Sequence, residues 1–172
     1  METLFTTERL AVRKFRPEDS SDLADILADP EVTCFEPYQT FTREACVQEA
    51  VNFSESNEFF AVVLVDKVIG KIYFSRKGAG TYELGYTFNA SYQGMGYACE
   101  SITGFMGYAF EIPGVRRIIA EIDTRNTRSY KLAERLGMRR EAEHRELFPS
   151  KENSGIFNDF YIYAILKKEF VK

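Results

Sequence analysis

Strand-like and helix-like segments alternate along nearly the whole chain, and their order limits the folds that the chain can adopt. Runs rich in β-branched and aromatic residues predict strands, for example Phe59–Val65, Tyr82–Phe88 and Phe157–Leu166. Apolar residues at helical spacing predict helices, for example the segment that ends near Phe110, whose buried face should hold Ile102, Phe105, Met106 and Ala109. The resulting order is β-α-α-β-β-β-α-β-α-β-β. One mixed α/β sheet with helices on both faces satisfies this order.

Length and composition indicate one globular domain that binds neither nucleic acid nor a membrane. The chain has 172 residues, of which 45% are hydrophobic and 28% are charged, and its formal net charge is −4. A single domain spanning residues 1–172 is the expectation for this length. A net negative charge disfavours general nucleic-acid binding. No apolar run approaches the roughly 18–20 residues that a transmembrane helix needs.

The cysteine and histidine content argues against structural disulfides and a zinc site, and the opening residues argue against secretion. Three scattered cysteines and one histidine are too few for a disulfide framework or a zinc site, so no metal is expected. The opening residues METLFTTERL contain neither the basic nor the apolar region of a secretory signal. We therefore expect a cytoplasmic protein.

The most informative segment lies between a predicted strand and a predicted helix. We call it the glycine loop, and it consists of Gln93, Gly94, Met95, Gly96, Tyr97 and Ala98. Two glycines allow the backbone to turn tightly and to approach a ligand without a Cβ in the way. The first amides of the following helix have no partner within the helix, and the helix dipole favours a negative ligand there. A pyrophosphate suits this arrangement.

The residues of the glycine loop alone leave a plain strand-to-helix turn open. A dinucleotide-binding fold needs G-x-G-x-x-G, but Cys99 stands in place of the third glycine. A Walker loop is excluded because no G-K-S/T follows.

Two motifs and both ends of the chain carry a family resemblance. Gln93–Ala98 follows the pattern Q/R-x-x-G-x-G/A, and Asn126–Met138 follows N-x-x-S-x-x-L/V-x-E-K-x-G-F/M with Arg135 at the lysine. The chain thereby resembles the GNAT acetyltransferases. Its opening Thr7–Arg13 and its closing Asp159–Tyr163 resemble the RimJ/RimL branch, which acetylates protein N-termini and small amines.

The resemblance implies both the fold and the co-substrate. It implies a mostly antiparallel sheet with a central splay between two strands. It also implies acetyl-CoA, with its pyrophosphate on the glycine loop and its pantetheine and acetyl carbonyl on backbone groups of Thr87 and Phe88. The matching asparagine, Asn126, bonds the pantetheine arm in the family. Asn126 can also cap the helix predicted at Thr127–Leu136, and the two roles are compatible.

Ser129 is the predicted proton donor or thiolate-binding residue. Helical spacing places Ser129 on the same face as Leu132, Ala133 and Leu136, and a serine on an apolar face needs a partner. Many GNAT enzymes use a tyrosine as the acid, but Ala133 occupies that position here. RimL-like proteins place a serine at the position of Ser129. A hydrogen bond from Ser129 back to its own helix is the alternative.

Glu121 is the predicted general base. It lies on the strand Arg116–Asp123, where some N-terminal acetyltransferases of the family carry a catalytic glutamate. A carboxylate there could take the proton of an ammonium group directly or through water. A solvent-facing Glu121, the weaker candidates Glu83 and His144, and a reaction without a dedicated base stay open.

The resemblance implies an acetyl-CoA-dependent N-acetyltransferase that acts on a primary amine by direct attack in a ternary complex. The amine is a protein N-terminus or a small molecule, and a homodimer is open as a further partner. We expect the acceptor at Asp29–Thr40, which holds Glu31, Phe35, Glu36 and Tyr38, and at Pro149–Gly155. Ordinary loop contacts of these acidic and aromatic residues are the alternative. The alternative function is a catalytically weak acetyl-CoA-binding or sensory domain, since the tyrosine at Ala133 is missing.

Overall fold

The computed structural model describes residues 3–153 and 155–171, which form eight strands and five α-helices. The strands are β1 (Thr3–Thr6), β2 (Ala11–Lys14), β3 (Phe59–Leu64), β4 (Lys67–Gly78), β5 (Thr81–Phe88), β6 (Arg117–Asp123), β7 (Arg139–Pro149) and β8 (Phe157–Leu166). The helices are α1 (Ser20–Leu27), α2 (Pro30–Thr33), α3 (Ala45–Glu55), α4 (Tyr97–Glu111) and α5 (Thr127–Arg135).

The strands form one open sheet in the order β1-β2-β3-β4-β5-β6-β8-β7. Strand β5 runs parallel to β6, with Thr81–Glu83 paired to Arg117–Ile119. The pairs β1–β2, β2–β3, β3–β4, β6–β8 and β7–β8 are antiparallel. The predicted mixed and mostly antiparallel α/β sheet is therefore confirmed. The central splay between two strands stays a prediction.

The residues cluster into two compact units. Unit 1 comprises Met1–Phe74 and Tyr86–Tyr108, and unit 2 comprises Ser75–Gly85 and Ala109–Lys172. Helices α1 to α3 and the first twelve residues of α4 belong to unit 1, whereas α5 belongs to unit 2.

Unit 1 buries apolar side chains on both faces of its strands because neighbouring residues of a strand point in opposite directions. The ring of Phe59 on β3 stacks on Phe53 of α3, with the centroids 4.0 Å apart. The next residue, Phe60, packs instead on Phe105 of α4 at 5.1 Å. Helices α3 and α4 thus cover opposite faces of this part of the sheet.

Helix α4 follows the predicted pattern closely. The four residues expected on its buried face are fully buried, namely Ile102, Phe105, Met106 and Ala109. The helix begins directly behind the glycine loop, so its packing on the sheet fixes the position of that loop.

Unit 2 contains the β6–β8–β7 part of the sheet and helix α5. Strand β6 pairs with β8 from Arg117 to Asp123, and β7 forms the edge beyond β8. Gly137, expected directly after the end of α5, has a φ of +80°, which is the left-handed conformation that ends many helices.

Two local features differ from the prediction. Strand β1 is absent from the predicted order because its four residues are only partly buried and too few to show alternation. In the sequence, the Asp29-Pro30 pair predicts the end of the first helix, and α1 does end at Leu27. Pro30 then begins α2, whose first turn is capped by the Asp29 side chain. Proline is tolerated at a first helical position because no N–H is needed there.

Candidate functional site

The glycine loop is exposed and is shaped by two glycines. Gly94 and Gly96 have φ angles of +77° and +83°, a region that residues with a Cβ rarely adopt. Both glycines and Met95 between them are exposed. The first helical bond of α4 runs from the Glu100 N–H to the Gly96 carbonyl. The amides before Glu100 therefore lie in the first turn of a fifteen-residue helix, where an anion can be bound.

An ion pair holds the first turn of α4 to the segment before β2. The Glu100 carboxylate accepts hydrogen bonds from the Thr7 hydroxyl at 2.6 Å and from the Arg9 Nε at 2.7 Å. Arg9 also donates to the carbonyl of Met95 in the glycine loop and lies 4.4 Å from the ring centroid of Tyr97. Partial burial raises the pKa of Glu100, but the hydrogen bonds from Thr7 and Arg9 outweigh it and lower the pKa below its ordinary value. Glu100 is thus ionised, and its carboxylate is hydrogen-bonded to Thr7 and Arg9, which lie outside its own helix.

The glycine loop is bonded to the end of strand β5. The Gln93 side-chain amide donates to the carbonyl of Phe88 at 2.9 Å. Thr87, which precedes Phe88, is buried, and its hydroxyl donates to Glu36 at 2.7 Å. Within unit 1, Gln93 therefore connects the glycine loop to the end of β5, where the predicted cofactor-binding residues Thr87 and Phe88 lie.

A polar cluster in unit 1 joins residues of the predicted acceptor segment to a buried lysine, Lys71, that was not predicted. Lys71 on β4 is only 3% exposed, and its ammonium group donates to the Tyr38 hydroxyl at 2.8 Å. The Glu36 carboxylate lies 3.8 Å from the same nitrogen. Burial lowers the pKa of Lys71, while the negative charges of Glu36 and Glu49 oppose this shift. The one signal in the sequence is a lysine inside the apolar run Val68–Phe74.

Asn126 and Ser129 are brought together at the start of α5 in unit 2. The Asn126 side-chain oxygen accepts from the Ser129 N–H at 3.2 Å, so Asn126 is the N-cap residue that the sequence allowed. Ser129 is half-buried, and Leu132, Ala133 and Leu136 on its face are buried. This pattern agrees with the predicted direction of the Ser129 side chain.

Glu121 lies on β6, where its neighbours Ala120 and Ile122 are buried but Glu121 itself is exposed. Partial loss of hydration, followed by the negative charge of Glu83, raises the pKa of the Glu121 carboxyl. Lys77 and His144 lower it to a smaller extent. Glu83 is ion-paired with Lys77 at 2.5 Å. A carboxyl with a raised pKa holds a proton more readily than an ordinary glutamate does.

The remaining residues considered from sequence lie at less informative positions. His144 is exposed on the edge strand β7, and Ala133 is fully buried on α5. In the expected acceptor segment Pro149–Gly155, Ser154 lies outside the described residues.

The three cysteines differ in exposure. Cys34 is exposed, Cys99 is half-buried in the first turn of α4, and Cys46 is buried in the core of unit 1. All three carry free thiols.

Residues 3–153 and 155–171 contain neither a metal-ligating cluster nor a membrane-spanning helix. No group of three or more histidine, cysteine or acidic side chains in these ranges is arranged to hold a metal ion. None of the helices in these ranges is both long and apolar enough to cross a bilayer.

Comparison with known proteins supports the family resemblance that the two motifs carry. Residues 9–139 match the family model of the acetyltransferase (GNAT) domain. The chain is 36% identical over 170 residues to YnaD of Bacillus subtilis (strain 168), an uncharacterised N-acetyltransferase, and the match covers 95% of this chain and 97% of YnaD. It is also similar to the crystal structure of a GNAT-family acetyltransferase from Bacillus anthracis, with a TM-score of 0.88 and 33% identity. That match covers 95% of this chain and 98% of the other.

A more distant structural neighbour belongs to the RimJ/RimL branch. RimJ of Mycobacterium smegmatis, solved with CoA-disulfide, has a TM-score of 0.79 at 19% identity, with 95% of this chain and 84% of RimJ covered. This likeness shows the fold alone, so assignment to the RimJ/RimL branch stays a prediction. The family model and the bacillary relatives confirm the prediction of an acetyl-CoA-dependent N-acetyltransferase. The chain belongs to the GNAT family of acetyltransferases.

Proposed function

We propose that this chain transfers an acetyl group from acetyl-CoA to a primary amine, by direct attack in a ternary complex. The observation that carries the proposal is the exposed glycine loop before α4, with its two positive φ angles. The acceptor is a protein N-terminus or a small-molecule amine, as the RimJ/RimL resemblance implies. Residues 1–172 act as one cytoplasmic N-acetyltransferase domain in this proposal, and a homodimer is compatible with it.

The glycine loop fits a pyrophosphate. Gly94 has no neighbouring atom within 4 Å of where a Cβ would stand, so the backbone side of the loop is open. The N–H groups of Tyr97 and Ala98 belong to the first turn of α4 and can donate to phosphate oxygens. Gln93 binds the Phe88 carbonyl, so its contribution is to hold the loop on β5, with Met95 and Gly96 forming the turn.

Backbone groups of Thr87 and Phe88 and the side chain of Asn126 bind the pantetheine arm in this proposal. The Asn126 oxygen already accepts from Ser129 N–H, so its amide group is the part that serves the cofactor. An asparagine side chain has both an acceptor and two donors. Capping and cofactor binding are thus compatible.

Acetyl-CoA supplies an activated thioester, whose C–S bond is exchanged for the C–N bond of the product amide. Glu121 accepts the proton that the acceptor ammonium loses before the attack, directly or through one water. Its raised pKa makes it a better proton acceptor near neutral pH than an ordinary glutamate. Ser129 donates a hydrogen bond or a proton to the departing thiolate.

A second candidate function is a domain that binds acetyl-CoA without efficient chemistry. The buried Ala133 favours it, since this position carries the acid in many family members and has no hydroxyl here. Turnover separates the two functions, because the binding domain takes up acetyl-CoA and releases no free CoA when an amine is added.

The first experiment is a calorimetric titration of acetyl-CoA into the purified protein, with NADH as the control ligand. We expect micromolar binding of acetyl-CoA and none of NADH. Release of CoA is then followed with a panel of amines that contains an alanine-headed tripeptide, spermidine and tyramine. Binding without turnover of any amine supports the second candidate. Absence of acetyl-CoA binding contradicts both functions and leaves the glycine loop as a structural turn.

A further inference from the structure

The buried polar cluster around Lys71 lies wholly within unit 1. It consists of Glu36, Tyr38, Lys71 and Thr87. Three aromatic rings surround the Lys71 ammonium, with centroids 4.7 Å away at Tyr38, 5.9 Å at Phe59 and 6.0 Å at Phe53. A lysine that is 3% exposed loses its hydration, and such a site requires compensating partners. Glu36 and the rings provide them.

Part of the Glu36 side chain is exposed, unlike that of Lys71. Its side chain retains 22% exposure, against 4% for the side chain of Lys71. One carboxylate oxygen accepts from the Thr87 hydroxyl at 2.7 Å, and the other faces Lys71 at 3.8 Å, beyond hydrogen-bond distance. The Tyr38 side chain is a further hydrogen-bond partner of Glu36. A carboxylate offers about four acceptor positions, so Glu36 can accept a further donor at its exposed side.

Glu36 is also fixed relative to the residues proposed to bind acetyl-CoA. Its hydrogen-bond donor is Thr87, and the next residue, Phe88, accepts from Gln93 of the glycine loop. Two hydrogen bonds in unit 1, joined by the Thr87–Phe88 peptide bond, therefore connect the Glu36 carboxylate to the loop. A negative side chain placed in this way can bind a positively charged group beside the cofactor.

We propose that Glu36 is the acceptor-binding carboxylate, which binds the ammonium form of the amine substrate, and that Thr87 and Lys71 are the residues that position it. The inference rests on the proposed function and deepens it by assigning the residue that binds the amine. The four-part cluster explains why the carboxylate does not rotate away into water. In this inference Glu36 acts in binding the ammonium rather than as the base.

The test compares Glu36→Gln with the unaltered protein, with the best amine of the tripeptide, spermidine and tyramine panel as acceptor. Glutamine keeps the size of the side chain and an oxygen for the Thr87 bond, but it removes the charge. We expect KM for the amine to rise about 10- to 100-fold, which is the effect of losing one charge-assisted hydrogen bond. The dissociation constant of acetyl-CoA should change less than about threefold.

Glu49→Gln is the matched control, because Glu49 also acts on Lys71 electrostatically but lies on α3 and bonds to Asn52. It should leave KM for the amine close to that of the unaltered protein. An unchanged KM in Glu36→Gln, with a normally active parent protein, overturns this inference and leaves the proposed function intact. Failure of the parent protein to acetylate any amine overturns both.

The positioning role of Thr87 has its own test. Thr87→Val removes the hydroxyl that holds Glu36 and should raise KM for the amine by about tenfold, since one hydrogen bond to a charged group is lost. Thr87→Ser restores the hydroxyl and should recover most of the change, while backbone groups serve acetyl-CoA in all three proteins. Equal KM values for the valine and serine variants overturn the positioning role.

Discussion

Helices α4 and α5 each begin shortly after a strand, and their first turns differ. At the start of α5, the side chain of Asn126 accepts from the Ser129 N–H and so takes up one of the amides that a helix leaves without a partner. At the start of α4, two glycines with positive φ angles lead into an exposed turn, and the acidic Glu100 is bonded to Thr7 and Arg9. One helix end is closed by its own sequence, whereas the other is open to an anion.

In the proposed function, this difference separates cofactor binding from proton transfer. The first turn of α4 offers backbone groups, and their chemistry depends on conformation more than on side-chain identity. The first turns of α5 and the strand β6 offer the side chains of Ser129 and Glu121. Substitutions in the first region should therefore change affinity for acetyl-CoA, whereas those in the second should change rates.

The largest effect should follow Gly96→Arg. A Cβ at Gly96 stands 3.3 Å from the Arg9 guanidinium, and the φ of +83° disfavours any side chain. We expect the dissociation constant of acetyl-CoA in calorimetry to rise by about 1,000-fold, which is the loss of two charge-assisted hydrogen bonds. Gly114→Arg is the control, since Gly114 has a φ of +87° and open space around it. Equal affinities of the two variants would contradict the assignment of the glycine loop.

Glu121→Gln should lower kcat/KM by about 100-fold at pH 7, the lower range for loss of a general base. The activity should recover at high pH, where the amine substrate loses its proton to water. The unaltered enzyme should instead lose activity as the pH falls through the raised pKa of Glu121. Identical pH–rate profiles for the two proteins would remove Glu121 from the mechanism.

Glu83→Gln sharpens the same prediction. It removes the charge that helps to raise the pKa of Glu121 and releases Lys77 from its ion pair. Both changes should move the acidic limb of the pH–rate profile to lower pH. The raised pKa in the folded state also means that Glu121 contributes stability below its unfolded pKa, and that this is lost as pH rises through the folded pKa. Chemical unfolding of Glu121→Gln across that range tests the sign.

Ser129→Ala should reduce kcat by about 10- to 100-fold, as expected for one hydrogen bond to a developing negative charge. The dissociation constant of acetyl-CoA should stay near that of the parent, because the Asn126 cap uses the backbone N–H of residue 129. Tyr130→Phe, one position along the same helix, serves as the control. An unchanged kcat in Ser129→Ala would show that the proton comes from elsewhere.

The smallest effect should separate the two roles of Asn126. Asn126→Ala should lower the free energy of unfolding by about 1 kcal/mol, the usual effect of losing an N-cap. Asn126→Asp keeps a capping oxygen at the positive end of the helix and should keep that stability. It loses the amide donor, so we expect the dissociation constant of acetyl-CoA to rise about three- to tenfold. Unchanged affinity in Asn126→Asp would make the residue a cap alone.

The sequence predicted the elements with strong local periodicity. Strand β8 begins and ends at the residues predicted, Phe157 and Leu166, and the buried face of α4 has the four residues predicted for it. Strand β1 was missed because Thr3–Thr6 is held in place by pairing with β2, which is a tertiary contact rather than a local pattern. Pro30 correctly predicted that the first helix ends before it. It also begins α2, which was not predicted.

The candidate site divides in the same way. The glycine loop could be predicted from the sequence because glycine readily adopts the positive φ angles that such a turn needs. The cluster of Glu36 and Lys71 could not, since the two residues are 35 positions apart and no local rule joins them. The raised pKa of Glu121 likewise depends on Glu83 from another strand. Such effects follow from the sheet order, which single-sequence patterns do not contain.

The unequal exposure of the three cysteines has a practical consequence. Cys34 lies two positions before Glu36 and is exposed, whereas Cys46 is buried. A maleimide dye should therefore react first at Cys34, close in sequence to the carboxylate proposed to bind the acceptor, without opening the core. The same thiol adds a background to any assay that detects free CoA with a disulfide reagent. A serine at position 34 would remove that background, and the dye on the parent protein would report directly on amine binding.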